Sequence, residues 1–222
     1  MPCYLPGPLA TCLAGLGLLL AAPAAAQQLR LAPLRTGQLP PAPAGPARSF
    51  RYVPTAALRR QAVQAVATRL QARSPAEAQL VRATFGPGQA DYAPLYAALL
   101  RNSGLADNDA AGALALYLEA GYRVVHNITD DDVVTASQEQ ALRAQAARLL
   151  APTARRRPPA AVAHLGEELK LQSVLLVLAW QTAQKSAATL DFRSTIAQQF
   201  RAEYGLDLRE VRLTNQGLVP RF

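Results

Sequence analysis

His164-Leu165-Gly166-Glu167 puts an imidazole and a carboxylate one helical turn apart. That spacing could supply two ligands of a metal site, or an acid/base pair for a hydrolase. A metal needs three or four ligands, and the only other histidine is His126. Glu168 stands where a His-x-x-Glu-His zinc arrangement would carry its second histidine. The plainer reading is an ordinary first helical turn with exposed charges, and the ligand shortage favours it. His164 and Glu167 are the catalytic candidates, with no metal ligand and no cofactor-binding residue expected.

Asp130-Asp131-Asp132 offers hard oxygens to Ca²⁺. No loop of alternating ligands with a central Gly and a distal Glu follows, so an acidic turn before a helix explains the run better. Arg155-Arg156-Arg157 could touch anionic lipid, lipopolysaccharide or nucleic acid. Aromatic residues are not interleaved with it, so base stacking is unsupported and no nucleic-acid partner is expected. The chain has no Gly-x-Ser-x-Gly, no Ser-x-x-Lys and no Gly-rich phosphate loop. In Gly86-Pro87-Gly88, Pro removes an amide donor that a phosphate cradle would need, which makes the segment a helix stop. Tyr96, Tyr117, Tyr122 and Trp180 could line a ligand pocket, but aromatics at helical spacing usually form core.

These residues sit in a basic chain of 222 residues with net charge +8. Residues 105–150 hold three basic and seven acidic residues, a net of −4, so the rest carries +12. Only Lys170 and Lys185 are lysine among the 23 basic residues. That Arg, Ala and Pro bias is expected of a GC-rich bacterial genome.

The N-terminus points to export. Leu9 to Ala22 is apolar, and Ala24-Ala25-Ala26 followed by Gln27 has the small-x-small pattern of a signal-peptidase site. Residues 1–26 therefore read as a signal peptide, cut after Ala26, with Ala24, Ala26 and Gln27 at the cleavage site. The apolar run is short for a membrane span, and no transmembrane segment is expected in the mature chain. Cys3 and Cys12 both fall inside the signal, which leaves the mature chain without a disulfide or thiolate. Residues 27–49, with Pro33, Pro40, Pro41, Pro43 and Pro46, read as a disordered linker.

Residues 50–222 read as a single all-α domain of about seven helices. Thr55 caps the first, with Val63, Val66 and Leu70 on one face. Ser74-Pro75-Ala76-Glu77 has the form of a capping box. A third helix spans about Asp91 to Arg101. Asp107 or Asn108 caps a fourth, whose stripe of Leu114, Tyr117, Leu118, Gly121 and Val125 predicts one core-facing side. A fifth runs from about Val134 to Leu150, and Pro152 to Pro159 is a solvated connection. The stretch from about 160 to 185 is the central helix, because Val174 to Trp180 is apolar on every side and must be buried all round. A last helix presents Phe192, Ile196 and Phe200 and stops at Gly205. Beyond it, a short extended tail turns at Asn215-Gln216-Gly217.

Several stretches are distinctive together: Phe50-x-Tyr52-x-Pro54 with Arg59, Ser103-Gly104-Leu105-Ala106-Asp107-Asn108-Asp109, the helix holding Leu114 and Tyr117, and Tyr204 to Arg209 with Leu213 to Leu218. From about Phe50 to the C-terminus the chain resembles an uncharacterised family of exported bacterial proteins, a domain of unknown function. It departs from that pattern at Tyr122 or Val124, where Trp is expected, and at Leu218, where Phe is expected. The resemblance implies export and these domain limits, and carries no activity. Export, charge and the absence of catalytic sets together predict a non-enzymatic periplasmic or secreted protein binding a macromolecule or an anionic envelope surface. The alternatives are a hydrolase using His164 and Glu167, and a carrier of an apolar ligand between helices.

Overall fold

Thr55 opens the first helix because its extended backbone (φ −125°, ψ 155°) turns its hydroxyl onto the Leu58 amide at 3.1 Å. Helix α1 (Ala56–Gln71) then buries Ala62, Val63, Val66, Ala67 and Leu70 on one face. The computed structural model describes residues 49–222 apart from 73, 131, 132, 156, 187 and 222. The expected signal peptide, its cleavage site at Ala24, Ala26 and Gln27, and linker residues 27–48 lie outside the described residues.

Helix α2 (Pro75–Phe85) starts with Pro75, as expected, but Ser74 makes no side-chain capping bond. The Ser74 amide is already taken by the Leu70 carbonyl at 2.8 Å, so the reciprocal bond of a capping box does not form there, and Glu77 is buried. A reciprocal box forms at Thr135 and Gln138. There the Thr135 amide donates to Gln138 Oε1 at 2.9 Å, and the Gln138 amide to Thr135 Oγ1 at 3.3 Å. Helix α3 is only Ala93–Leu99, shorter than the expected Asp91 to Arg101, with Tyr92 and Tyr96 buried one turn apart.

Helix α4 (Ala110–His126) is capped by Asp109, not by Asp107 or Asn108. Asp109 accepts from the Ala111 amide at 3.3 Å and the Phe50 amide at 3.2 Å through Oδ1, and from Arg143 at 2.6 Å through Oδ2. The expectation that α4 packs one face is overturned. Ala111, Gly112, Ala113, Ala115, Leu116 and Ala120, off the large-residue stripe, are buried as well. Small side chains let neighbouring helices close in on every side.

Helix α5 (Ala136–Ala154) carries Pro152 within its last turn, so the helix extends into the segment expected as a loop. Pro152 is exposed and at the helix end, where a lost amide donor costs least. Helix α6 (Pro159–Gln184) is the central element: it packs against α4, α1 and α3, and against α7 (Thr189–Tyr204). Of its run Val174 to Trp180, all but Val177 are buried. Trp180 stacks on Phe192 of α7 at 6.0 Å.

Gly205 ends α7 in the left-handed conformation (φ 67°), as expected of a C′ glycine. The following segment is not a plain extended tail. A 3₁₀ turn (Leu208–Glu210) leads into an antiparallel hairpin of β1 (Val211–Thr214) and β2 (Gly217–Pro220). Gln145 of α5 holds the hairpin by bonding both the amide and the carbonyl of Leu218 at 2.9 Å. The fold is all-α, a bundle of seven helices with this one small sheet among the described residues.

Candidate functional site

The first turns of α6 carry the sequence candidates, and the structure separates them. His164 Nδ1 lies 2.7 Å from Glu168 Oε1, and Glu168 Oε2 lies 2.5 Å from Arg69 of α1. Glu167 turns the other way and is fully buried, which overturns the reading of exposed charges at this position. No acid/base pair of His164 with Glu167 forms. Glu167 Oε1 accepts from the Tyr52 hydroxyl at 2.7 Å and from Lys170 Nζ at 2.9 Å, and Oε2 accepts from the Tyr92 hydroxyl at 2.6 Å.

Each partner arrives from a different element. Tyr52 is carried by the extended strap before α1, whose own amide donates to the Asn108 carbonyl at 3.0 Å. Gly166 makes room for it, since a Cβ there would sit 2.6 Å from the Tyr52 ring. Tyr92 stands at the start of α3. Lys170 is 1% exposed and also reaches Asp107 Oδ1 at 2.7 Å, with its ammonium 5.1 Å from the Tyr96 ring centroid. The Tyr96 hydroxyl is buried without a hydrogen-bond partner among the described residues. Burial, and then the Glu167 charge, push the Tyr52 and Tyr92 phenols far above their usual pKa, so both stay protonated donors. With both its oxygens held by these donors, Glu167 pins the strap and α3 onto α6 and presents no face to a substrate.

Glu168 is the titrating member of the neighbouring group. Burial alone would raise its pKa, but the His164 hydrogen bond and the Arg69 charge outweigh it and hold it below the usual 4.5. A depressed folded-state pKa adds stability that is complete above about pH 4.5 and lost as pH falls through the lower folded value. Glu168→Gln should therefore destabilise the protein at neutral pH and converge on the parent once the pH has fallen through the lowered Glu168 pKa, as read by urea unfolding. A gap that persists in acid would remove the charge from the explanation.

Elsewhere the candidates part further. His126 lies 2.8 Å from the Leu208 carbonyl through Nε2 and packs its ring at a 47° tilt against Tyr122, with ring centroids 4.3 Å apart. Arg221 stands 3.4 Å from its Nδ1. Burial, and then the charges of Arg221 and Arg193, lower its pKa below 6.5. The Asp130 carbonyl accepts from Arg123 at 2.8 Å, while Asp131 and Asp132 lie outside the described residues. Arg155 and Arg157 are exposed, and Arg156 lies outside the described residues. Among the described residues no three His, Cys, Asp or Glu side chains gather in a way that could hold a metal. No described helix is long and apolar enough to cross a membrane.

Sequence reasoning missed Tyr52, Tyr92 and Asp107 as partners of this cluster. Lys170, three residues after Glu167, was the available signal, since that spacing joins opposite charges on a helix. Among the described residues the surface also holds a groove of about 450 Å³ between α1 and the end of α2. Ala57, Arg60 and Val63 line one side, and Arg82, Phe85 and Pro87 the other.

No family model, curated protein or solved structure matches the chain.

Proposed function

We propose that the chain is a non-enzymatic exported bacterial protein, periplasmic or secreted, that binds an anionic envelope surface. It belongs, in this reading, with the uncharacterised exported family that residues 50–222 resemble. The observation that carries the reading is the way charge is distributed. Carboxylates are consumed inside the fold: Glu167 by Lys170, Glu168 by Arg69, Asp109 by Arg143, and Asp207 by Arg209 at 2.8 Å. Exposed Arg51, Arg60, Arg157 and Arg212 have no carboxylate partner among the described residues. Among the described residues these arginines carry uncancelled positive charge into solvent, where it attracts anions and is screened by salt.

Sedimentation with vesicles tests this. The purified protein should pellet with vesicles of equal parts phosphatidylglycerol and phosphatidylcholine, remain in solution with phosphatidylcholine alone, and be released by raising salt. Failure to distinguish the two surfaces would sink the proposal.

A further inference from the structure

We infer that the groove between α1 and α2 seats the headgroup of an anionic phospholipid, with Arg60 and Arg82 on its phosphodiester. The inference rests on the anionic-surface reading above and gives that surface a specific contact.

The two arginines line one groove from two helices. Arg60 is exposed, with no carboxylate partner among the described residues. Arg82 donates through Nη1 to Gln71 Oε1 at 2.7 Å, a neutral acceptor that leaves its charge uncancelled. Paired guanidinium forks match the geometry of phosphate oxygens. Arg59, one residue before Arg60, differs: Asp91 cancels it at 2.8 Å. Arg60 and Arg82 are thus the arginines of the groove lining whose charge no carboxylate cancels among the described residues.

The rest of the lining matches the rest of such a lipid. Gln61 and Gln64 line the same groove and can exchange hydrogen bonds with headgroup hydroxyls. Ala57, Val63, Phe85 and Pro87 give it an apolar floor and wall. Of that apolar lining, Ala57 and Pro87 are exposed at the surface. The volume, about 450 Å³, suits a headgroup with the start of its acyl chains and falls within the range of small-ligand sites. A soluble acidic protein would use the charge but leave the exposed apolar lining at Ala57 and Pro87 without a role.

The test uses the full chain and the vesicles named above. Each arginine near an anionic surface contributes about 1 kcal/mol, so Arg60→Gln with Arg82→Gln should weaken vesicle binding about thirtyfold. A second pair, Arg157→Gln with Arg212→Gln, removes the same charge from the general basic surface and should weaken binding clearly less than the groove pair, because neither of these arginines lines the groove. Ala57→Glu provides a second variant. Ala57 is exposed in the first turn of α1, where a carboxylate suits the helix dipole, so this protein should fold and lose vesicle binding. Circular dichroism checks that each variant is folded. Equal losses from both arginine pairs, or an Ala57→Glu protein that binds like the parent, would overturn the groove while leaving the anionic-surface reading standing. A parent protein that ignores the vesicles altogether would overturn both.

Discussion

Lys170→Met is expected to lower the unfolding free energy by about 3–5 kcal/mol, because it strands a buried carboxylate. Glu167 is fully buried, and Lys170 is the cation within its hydrogen-bonding distance, at 2.9 Å. Two phenols would remain on Glu167, but neutral donors do not cancel its charge. The transition temperature should fall by roughly 10 °C for a domain of this size. Adding Glu167→Leu to Lys170→Met should recover part of the loss, since a buried ion pair can often be replaced by apolar side chains at little cost. Recovery should be incomplete, because Tyr52 and Tyr92 would then lose their shared acceptor. A Lys170→Met protein within about 1 kcal/mol of the parent in urea unfolding would mean that the cluster does not hold its charges buried.

That cluster also explains what could be read in advance and what could not. Thr55, Gly205 and the stripes Val63-Val66-Leu70 and Phe192-Ile196-Phe200 depend on neighbours within a turn or two, and the structure keeps all of them. Glu167 depends on Tyr52, 115 residues away, and Tyr92, 75 away. No local pattern announces such partners, so a carboxylate near the start of a helix reads as solvated. The C-terminal hairpin is similar, because Gln145, which holds Leu218, is 73 residues before it. Ser74 and Thr135 show a subtler limit. Both begin the same four-residue signature, and only the amide left unbonded, at Thr135, completes the box.

Small residues account for the largest misjudgement of packing. A stripe of large side chains predicts one buried face, yet the Ala and Gly positions of α4 bury the other sides too. The central helix α6 and the enclosed helix α4 thus lie side by side. One reaches enclosure through large apolar residues, the other through small ones. The surface-binding proposal follows from the same economy of charge: ion pairs are used up where helices meet, and the arginines left over lie outside.

Gly121 shows what that small-residue packing is worth. A Cβ at Gly121 would lie 2.5 Å from Phe200 Cζ and 3.0 Å from a Leu208 methyl group. Phe200 is itself fully buried and stacks on Tyr117 with ring centroids 5.1 Å apart. Phe200→Ala should cost about 3–5 kcal/mol through the cavity it leaves and the stacking it loses. Gly121→Ala should cost about 1–3 kcal/mol for the opposite reason, overpacking of a filled space. Combined, the two should cost less than their sum by at least about 1 kcal/mol, because the new methyl group enters the space the ring vacates. Denaturant unfolding of the two single variants and the double variant measures this coupling. Simple additivity would mean that α7 does not rest on α4 at this glycine, and the close approach of the two helices would lose its cause.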